Sequence, residues 1–328
     1  SDVYKRQFQF RLTLKTGCPR EMGRVDSLWF QISSPPLVES LTGEIAVSGK
    51  PAPPEGIATV SAGIPTKFTY DLKAQVTSPL QSGFDSLEVY VPCRAEFDSL
   101  QVGDQNGFVT IACKDSVWQE SVYKDLLTGD SVFVDTARLN RLVVYFPSQP
   151  ISYGSWDRLR LTFTTSVLVY NTYFPGRVWK SGTGDLPCSI LAGDANREVT
   201  TNQLRVNIQE ESVGAVLDSV WVIPRVITPN TDGNNDFAKI CYRLLTLRDK
   251  ASIQISIFDL SGLKVRQVFQ GSQSSGIYQD LSGPYRCQVW DGKDDEGNVV
   301  SPGIYVYQVR VDSDKEISNK MGTIAVAY

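Results

Sequence analysis

Apolar residues in this chain fall on every second position over segment after segment. Phe68, Tyr70, Leu72, Ala74 and Val76 alternate with Thr69, Asp71, Lys73 and Gln75. Leu87, Val89 and Val91 do so with Glu88 and Tyr90, and Leu159, Leu161 and Phe163 with Arg160, Thr162 and Thr164. Ile253, Ile255 and Ile257 do so with Gln254 and Ser256. A period of two buries one face of a strand and wets the other. Turn formers recur between the runs, at Thr128-Gly129-Asp130, Ala192-Gly193-Asp194, Ser261-Gly262 and Glu296-Gly297-Asn298. Short strands at regular spacing with almost no helical pattern predict an all-β chain of β-sandwich modules.

One segment dissents. Across Asp236 to Asp249, Phe237, Ile240, Cys241, Leu244 and Leu245 fall at helical spacing. The same residues also read as a strand with Ile240, Tyr242 and Leu244 on one face, and periodicity alone does not choose between the two.

At 328 residues the chain has room for two or three domains. The Pro-rich stretch Lys50 to Gly56 reads as a loop or rigid spacer, and the polar stretch Glu210 to Gly214 as a second break. Residues 1–7, SDVYKRQ, read as a translated sequencing adapter and are set aside from the fold. The expected division is a truncated β-module at 8–63, a β-sandwich at 64–215 and a last module at 216–328. A faint repeat supports it. Phe10 to Thr16 resembles Leu159 to Thr165, and Leu41-Thr-Gly-Glu44 resembles Leu191-Ala-Gly-Asp194 at nearly the same offset. Any two amphipathic strands look alike, however, and Asp-Ser pairs at 26–27, 85–86 and 218–219 offer a competing alignment.

The chain contains no histidine. That removes Ser-His-Asp and Cys-His nucleophiles and every His-ligated zinc, copper or non-haem iron site. Its 32 basic and 36 acidic residues give a net charge of -4 and no basic stripe, so nucleic acid is not expected as a partner. No run approaches the roughly 18–20 apolar residues of a membrane span. The cysteines form no CxxC pair. Cys93 with Cys113, and Cys241 with Cys287, are candidate disulfides or free half-buried thiols, since sequence does not supply the short Cα separation a bridge needs. No Gly-rich phosphate loop is present.

The last third carries the specific motifs. Ile227-Thr-Pro-Asn-Thr-Asp-Gly-Asn-Asn-Asp236 opens it. Ile257-Phe-Asp-Leu-Ser-Gly-Leu-Lys-Val265, Val289-Trp-Asp-Gly292 and Ser301-Pro-Gly-Ile-Tyr-Val-Tyr307 follow in order. Together they resemble the Ig-like domain of the flagellar hook-capping protein and the related gliding-motility-associated C-terminal domain, and the segment 257–265 is closer to the hook-capping variant. The resemblance implies an Ig-like sandwich, a strand at Ile240 to Leu244, and a non-catalytic docking or sorting module at the end of an exported chain. No flagellar partner domain is visible upstream, so only the module type carries over. Trp290 offers the largest apolar surface for the core of this module.

Asn230, Asp232, Asn234 and Asp236 place four side-chain oxygens at alternate loop positions. This suits calcium, which takes roughly six to eight oxygen ligands, and equally a loop of self-bonded Asx turns. The EF-hand pattern fails, because Phe237 and Arg243 stand where it needs Gly and Glu. The acids Asp291, Asp294, Asp295 and Glu296 read as a solvated hairpin tip. Trp118, Trp156 and Trp179 with Tyr170, Tyr173 and Phe174 are candidate sugar-stacking rings if exposed, with Arg177 nearby to bond hydroxyls, though aromatics of sandwiches are usually core.

The expectation is a set of structural, docking or sorting modules of a secreted or cell-surface protein, without chemistry or a resident cofactor. Its partners would be envelope or surface proteins. The alternatives are accessory domains of a secreted hydrolase whose catalytic domain lies upstream, or a glycan-binding sandwich at 64–215.

Overall fold

The computed structural model describes residues 25–27, 29, 34–49, 56–138, 140–209, 214–281 and 283–327. The chain divides into a unit Ser1–Ser34 and a unit Pro35–Tyr328. In the first unit the described residues form no strand. The adapter-like segment 1–7, the repeat half at 10–16, Cys18, and the segments 50–55 and 210–213 lie outside the described residues. In the second unit the described residues are strands and turns with one 3-10 turn, Lys114–Ser116.

Two sheets form the first sandwich. One runs in the order Leu191–Ala192, Ser40–Val47, Pro65–Gln75, Arg158–Ser166, Glu96–Asp104, Gly107–Cys113. The other runs Cys188–Ser189, Gly176–Trp179, Ser86–Tyr90, Arg141–Tyr145, Ser131–Asp135, Val122–Lys124, Val117–Gln119. Alternation supplies the core from both inner faces: Phe68, Tyr70, Leu161 and Phe163 from the first sheet, Leu87, Val89, Leu142 and Val144 from the second. Each such side chain, wholly removed from water, contributes roughly 1.5–3 kcal/mol. Phe68 lies 5.7 Å from Phe174 and 6.1 Å from Phe163, ring to ring. The buried Tyr70 hydroxyl donates to the Phe174 carbonyl at 3.1 Å, so no polar group is stranded among these rings.

The expected boundary at 63/64 is not one. Ser40–Val47 pairs antiparallel with Pro65–Gln75 over its whole length, from Ser40 opposite Gln75 to Val47 opposite Phe68. Ala58–Val60 pairs with Arg205–Ile208, and Leu37, Leu41, Ile45 and Val60 belong to the same core as Phe163. Periodicity reveals a strand but not its partner, so strands of one sheet read as belonging to two modules. The repeat fails for the same reason. Thr42 and Gly43 lie beside Leu191 and Ala192 as parallel neighbours in one sheet. Gly43 is small because a Cβ there would stand 2.6 Å from Ile190 Cγ2.

The second core begins at Val216 and runs to Val326. One sheet holds Leu217–Ile223, Ala238–Leu244 and, along the latter's other edge, Gly276–Tyr278 and Gln288–Trp290. Its partner runs Val226–Ile227, Ile317–Val326, Gly303–Asp312, Ala251–Phe258, Lys264–Gln273. The ambiguous segment is a strand, with Ile240, Tyr242 and Leu244 inward. Trp290 is buried, stands edge-on to Tyr305 at 5.3 Å, and donates its indole N–H to the Lys293 carbonyl at 2.9 Å.

The two sandwiches meet through side chains. Leu245, at the end of a second-sandwich strand, is buried in the first core. The Thr246 N–H donates to the Leu168 carbonyl at 2.8 Å, and Arg243 Nη1 to the Gly63 carbonyl at 3.3 Å.

Candidate functional site

The motifs of the last third are far apart in sequence, yet the topology brings them to one end of the second sandwich. Ile227 lies beside Val326, Val326 opposite Gly303, Ala238 opposite Trp290, and Phe258 opposite Val306. The loops 228–236, 259–263 and 291–302 therefore leave the sheets on the same side. The opposite end, at Leu245 and Thr246, is the one that meets the first sandwich.

Each loop is locked by a carboxylate on its own backbone. Asp236 accepts the N–H groups of Thr231 at 2.7 Å and Gly233 at 2.8 Å, Asp232 that of Asn234, and the Asn230 amide oxygen that of Asp232. Asp259 accepts from the N–H groups of Ser261 and Leu263 and from the Ser261 hydroxyl at 2.6 Å. Asp294 accepts from the N–H groups of Glu296 and Asn298. The Ser261 hydroxyl and neighbouring N–H groups hold Asp259 below its ordinary pKa, and the N–H of Asn298 foremost does the same for Asp294. Hydrogen bonds favour the charged form, so both turns are tightest when their acids are ionised.

The loops also lock one another. Gly292 sits at φ 70° against Pro229, where a Cβ would approach Pro229 Cγ to 2.9 Å. Arg266 donates to the Asp294 carbonyl at 2.6 Å, and Asp295 Oδ1 accepts the Gln267 N–H at 2.9 Å. The result is a rigid face rather than a set of loose turns. It is acidic: Asp232, Asp236, Asp259 and the Asp294–Glu296 run outnumber Lys264, Arg266 and Lys293. It is also apolar at one corner, where Leu260 and Leu263 are 72% and 68% exposed and Ile304 is 51% exposed.

The four residues expected to take calcium, Asn230, Asp232, Asn234 and Asp236, share this loop, and the side-chain oxygens of Asn230, Asp232 and Asp236 accept backbone N–H bonds within it. A cation would compete with those donors. Among the described residues no group of three or more Cys, Asp or Glu side chains is arranged to hold a metal ion.

The candidate sugar contacts are not brought together. Trp118 is 72% exposed on the last strand of its sheet, beside Asp115, Lys124 and Leu126. Trp179 stands on the second strand of the same sheet, half-buried and edge-on to Tyr145. Five strand spacings separate them, about 24 Å. Trp156 is half-buried and bonded to Gln149, and Phe174 is core.

Sequence reasoning missed a row of buried polar groups on the outer face of the first sandwich. Glu44, Asp71 and Arg160 are neighbours across three strands. Arg160 grips Asp71 with two bonds of 2.7 and 3.0 Å, and Asn196 adds a third at 3.0 Å. Glu44 accepts the N–H groups of Ala195, Asn196 and Asn202 and so pins the loop 194–202 over the sheet. Burial raises the Glu44 pKa above its ordinary 4.5 despite those donors. Glu88 is likewise held between Arg141 and Arg177, and Asp85 by Lys180 and Ser181. An acid inside an alternating strand was the available signal. The wet face was assumed to be wet, and a covering loop dried it.

Fold and surface define a class: tandem β-sandwiches with a terminal face of interlocked loops. Residues 221–326 match the family model of the CHU_C type IX secretion signal domain, a C-terminal sorting domain on the gliding-motility side of the resemblance. The match makes the chain a secreted protein, destined for the cell surface or beyond. No curated protein matches the sequence. Among solved structures, the dimeric latent PorU of Porphyromonas gingivalis aligns at 10% identity and a TM-score of 0.28, over 88% of this chain and 34% of that one. The C-terminal fragment of the major pilin GBS80 of Streptococcus agalactiae aligns at 8% identity and 0.27, over 88% and 91%. PorZ of Porphyromonas gingivalis, a surface component of its type IX secretion system, aligns at 13% and 0.22, over 82% and 36%. The chain thus spans about a third of the PorU and PorZ chains. Among the described residues no helix is long and apolar enough to cross a membrane.

Proposed function

We propose that residues 216–328 are the sorting module of a type IX-secreted surface protein, read by the secretion machinery at its loop end. The first sandwich is the rigid structural module that it delivers, and neither sandwich carries out chemistry. The observation behind this reading is the gathering of the terminal motifs on the face opposite the one that meets the first sandwich. A receptor can reach that face while its cargo stays folded. The exposed leucines and the acidic excess call for a partner surface with an apolar pocket and basic groups.

The test is export of the full chain, behind an inner-membrane leader, in a bacterium with a working type IX system. The intact chain is expected at the surface or in the medium. A chain ending at Gly214 is expected to stay in the periplasm. Leu260→Ser with Leu263→Ser is expected to cut export at least tenfold without lowering the melting temperature. Export of the truncated chain at the intact level defeats the sorting assignment. Normal export of the double variant defeats the assignment of the face alone.

A further inference from the structure

Cys241 and Cys287 stand opposite each other on adjoining strands. The register that sets Lys239 against Val289 and Ile240 against Gln288 continues to this pair. Ile240 and Tyr242 point into the second core, so Cys241 lies on the outer face of the sheet, as Cys287 does beside the outward Val289. The Cys241 thiol donates to the Lys239 carbonyl at 4.0 Å, and burial, followed by the neighbouring Cys287, pushes its pKa up to about 12. Both are buried, at 3% and 1% exposure, and neither belongs to the hydrophobic core. Just before Cys287 in the chain is the connection 279–286, which leaves Gly276–Tyr278 and comes back to Gln288–Trp290 along one edge of Ala238–Leu244. That connection reaches the first sandwich: Tyr285 and Asp280 line a cleft of about 130 Å³ with Cys93, Arg94 and Thr165.

We propose that Cys241 and Cys287 form a disulfide in the exported protein, closing the base of the connection that meets the first sandwich. Directly opposed residues of neighbouring strands hold their Cβ atoms roughly 4.5–5.5 Å apart, and a disulfide spans roughly 3.5–4.5 Å, so a small approach of the two strands closes the bond. Outside the cytoplasm such bonds persist. The oxidant is a disulfide donor, either a protein disulfide oxidase or a low-molecular-weight disulfide. Both S–H bonds break and one S–S bond forms between Cys241 and Cys287. The two electrons and two protons reduce the donor to two thiols. Because both sulfurs are covered in the closed fold, exchange takes place while the connection 279–286 is still open. In the folded chain Cys241 and Cys287 are still thiols, as Cys93 and Cys113 are.

Peptide mapping of the full chain tests this. The protein is refolded with oxidised glutathione, its free thiols are alkylated in denaturant, and it is digested with trypsin. The expected product is the peptide Ile240–Arg243 linked to Cys287–Lys293, two hydrogens lighter than the sum of its parts and absent after reduction. The oxidised chain is expected to melt about 5–10 °C above the reduced one, a difference that Cys241→Ser abolishes. Full alkylation of both cysteines after oxidative refolding, or linkage of either one to Cys93, Cys113 or Cys188, overturns the proposal.

Discussion

The two sandwiches use carboxylates in opposite ways. In the first, Glu44, Asp71, Asp85 and Glu88 are buried on sheet faces and hold long loops or neighbouring cations. In the second, Asp236, Asp259 and Asp294 are in exposed turns and bind N–H groups a few residues away. A buried acid that loses its partner leaves an uncompensated charge, whereas an exposed turn acid that is lost gives its N–H groups back to water. The first sandwich therefore concentrates its vulnerability in a few polar residues, and the second distributes it over the apolar core and the turns.

Arg160→Ala breaks this contrast hardest. It strands the buried Asp71, and we expect a loss of about 3–5 kcal/mol in urea denaturation. A loss below about 1 kcal/mol would mean that Asn196 alone satisfies Asp71. Glu44→Ala frees three N–H groups beneath the loop 194–202. Its expected cost is about 2–3 kcal/mol, with faster hydrogen exchange confined to that loop.

The pH profile sharpens the comparison. Burial raises the Glu44 pKa, so the folded state takes up its proton before the unfolded state does. The stability linked to that proton is fully present below about 4.5 and is lost as pH rises through the folded pKa. Asp85 runs the other way. Burial pushes it up, but Lys180, Ser181 and Ser86 outweigh burial and set it below its ordinary 3.8. Asp98 is likewise lowered, against burial, by Lys67 and Lys114. The stability from these two is present above 3.8 and is lost as pH falls through their folded pKa values. The melting temperature is thus expected to rise as pH drops through the raised Glu44 pKa toward 4.5 and to fall below 3.8, and Glu44→Gln is expected to remove only the rise. Asp259→Ala should lower the melting temperature slightly at neutral pH and not at all below the Asp259 pKa. Smallest of all, calcium at millimolar concentration is expected to leave the melting temperature where EDTA does. An upward shift would show that the loop 230–236 releases its own N–H groups for the ion.

Alternation located the strands around Phe68, Leu87, Leu159 and Ile253, because one wet face and one dry face leave a period of two in the sequence. The terminal sandwich was legible further, down to Trp290 in its core, because its turns require particular residues at particular places. Strand partnership was not legible. Ser40–Val47 carries no mark that says it joins Pro65–Gln75, so a boundary was drawn through a sheet. The Glu44–Asp71–Arg160 row stayed hidden because its covering loop comes from residues about 150 positions later. Of the loop end of the terminal sandwich, the sequence showed the turns. That they share one end follows only from the order of strands in two sheets.

Leu245 has a mechanical consequence. A side chain from one sandwich seated in the core of the other, flanked by Thr246 on Leu168 and Arg243 on Gly63, leaves little freedom to swivel. If the far loops are gripped as proposed, the same hold also sets the direction in which the first sandwich points. An anchor at one extremity becomes a fixed aim at the other.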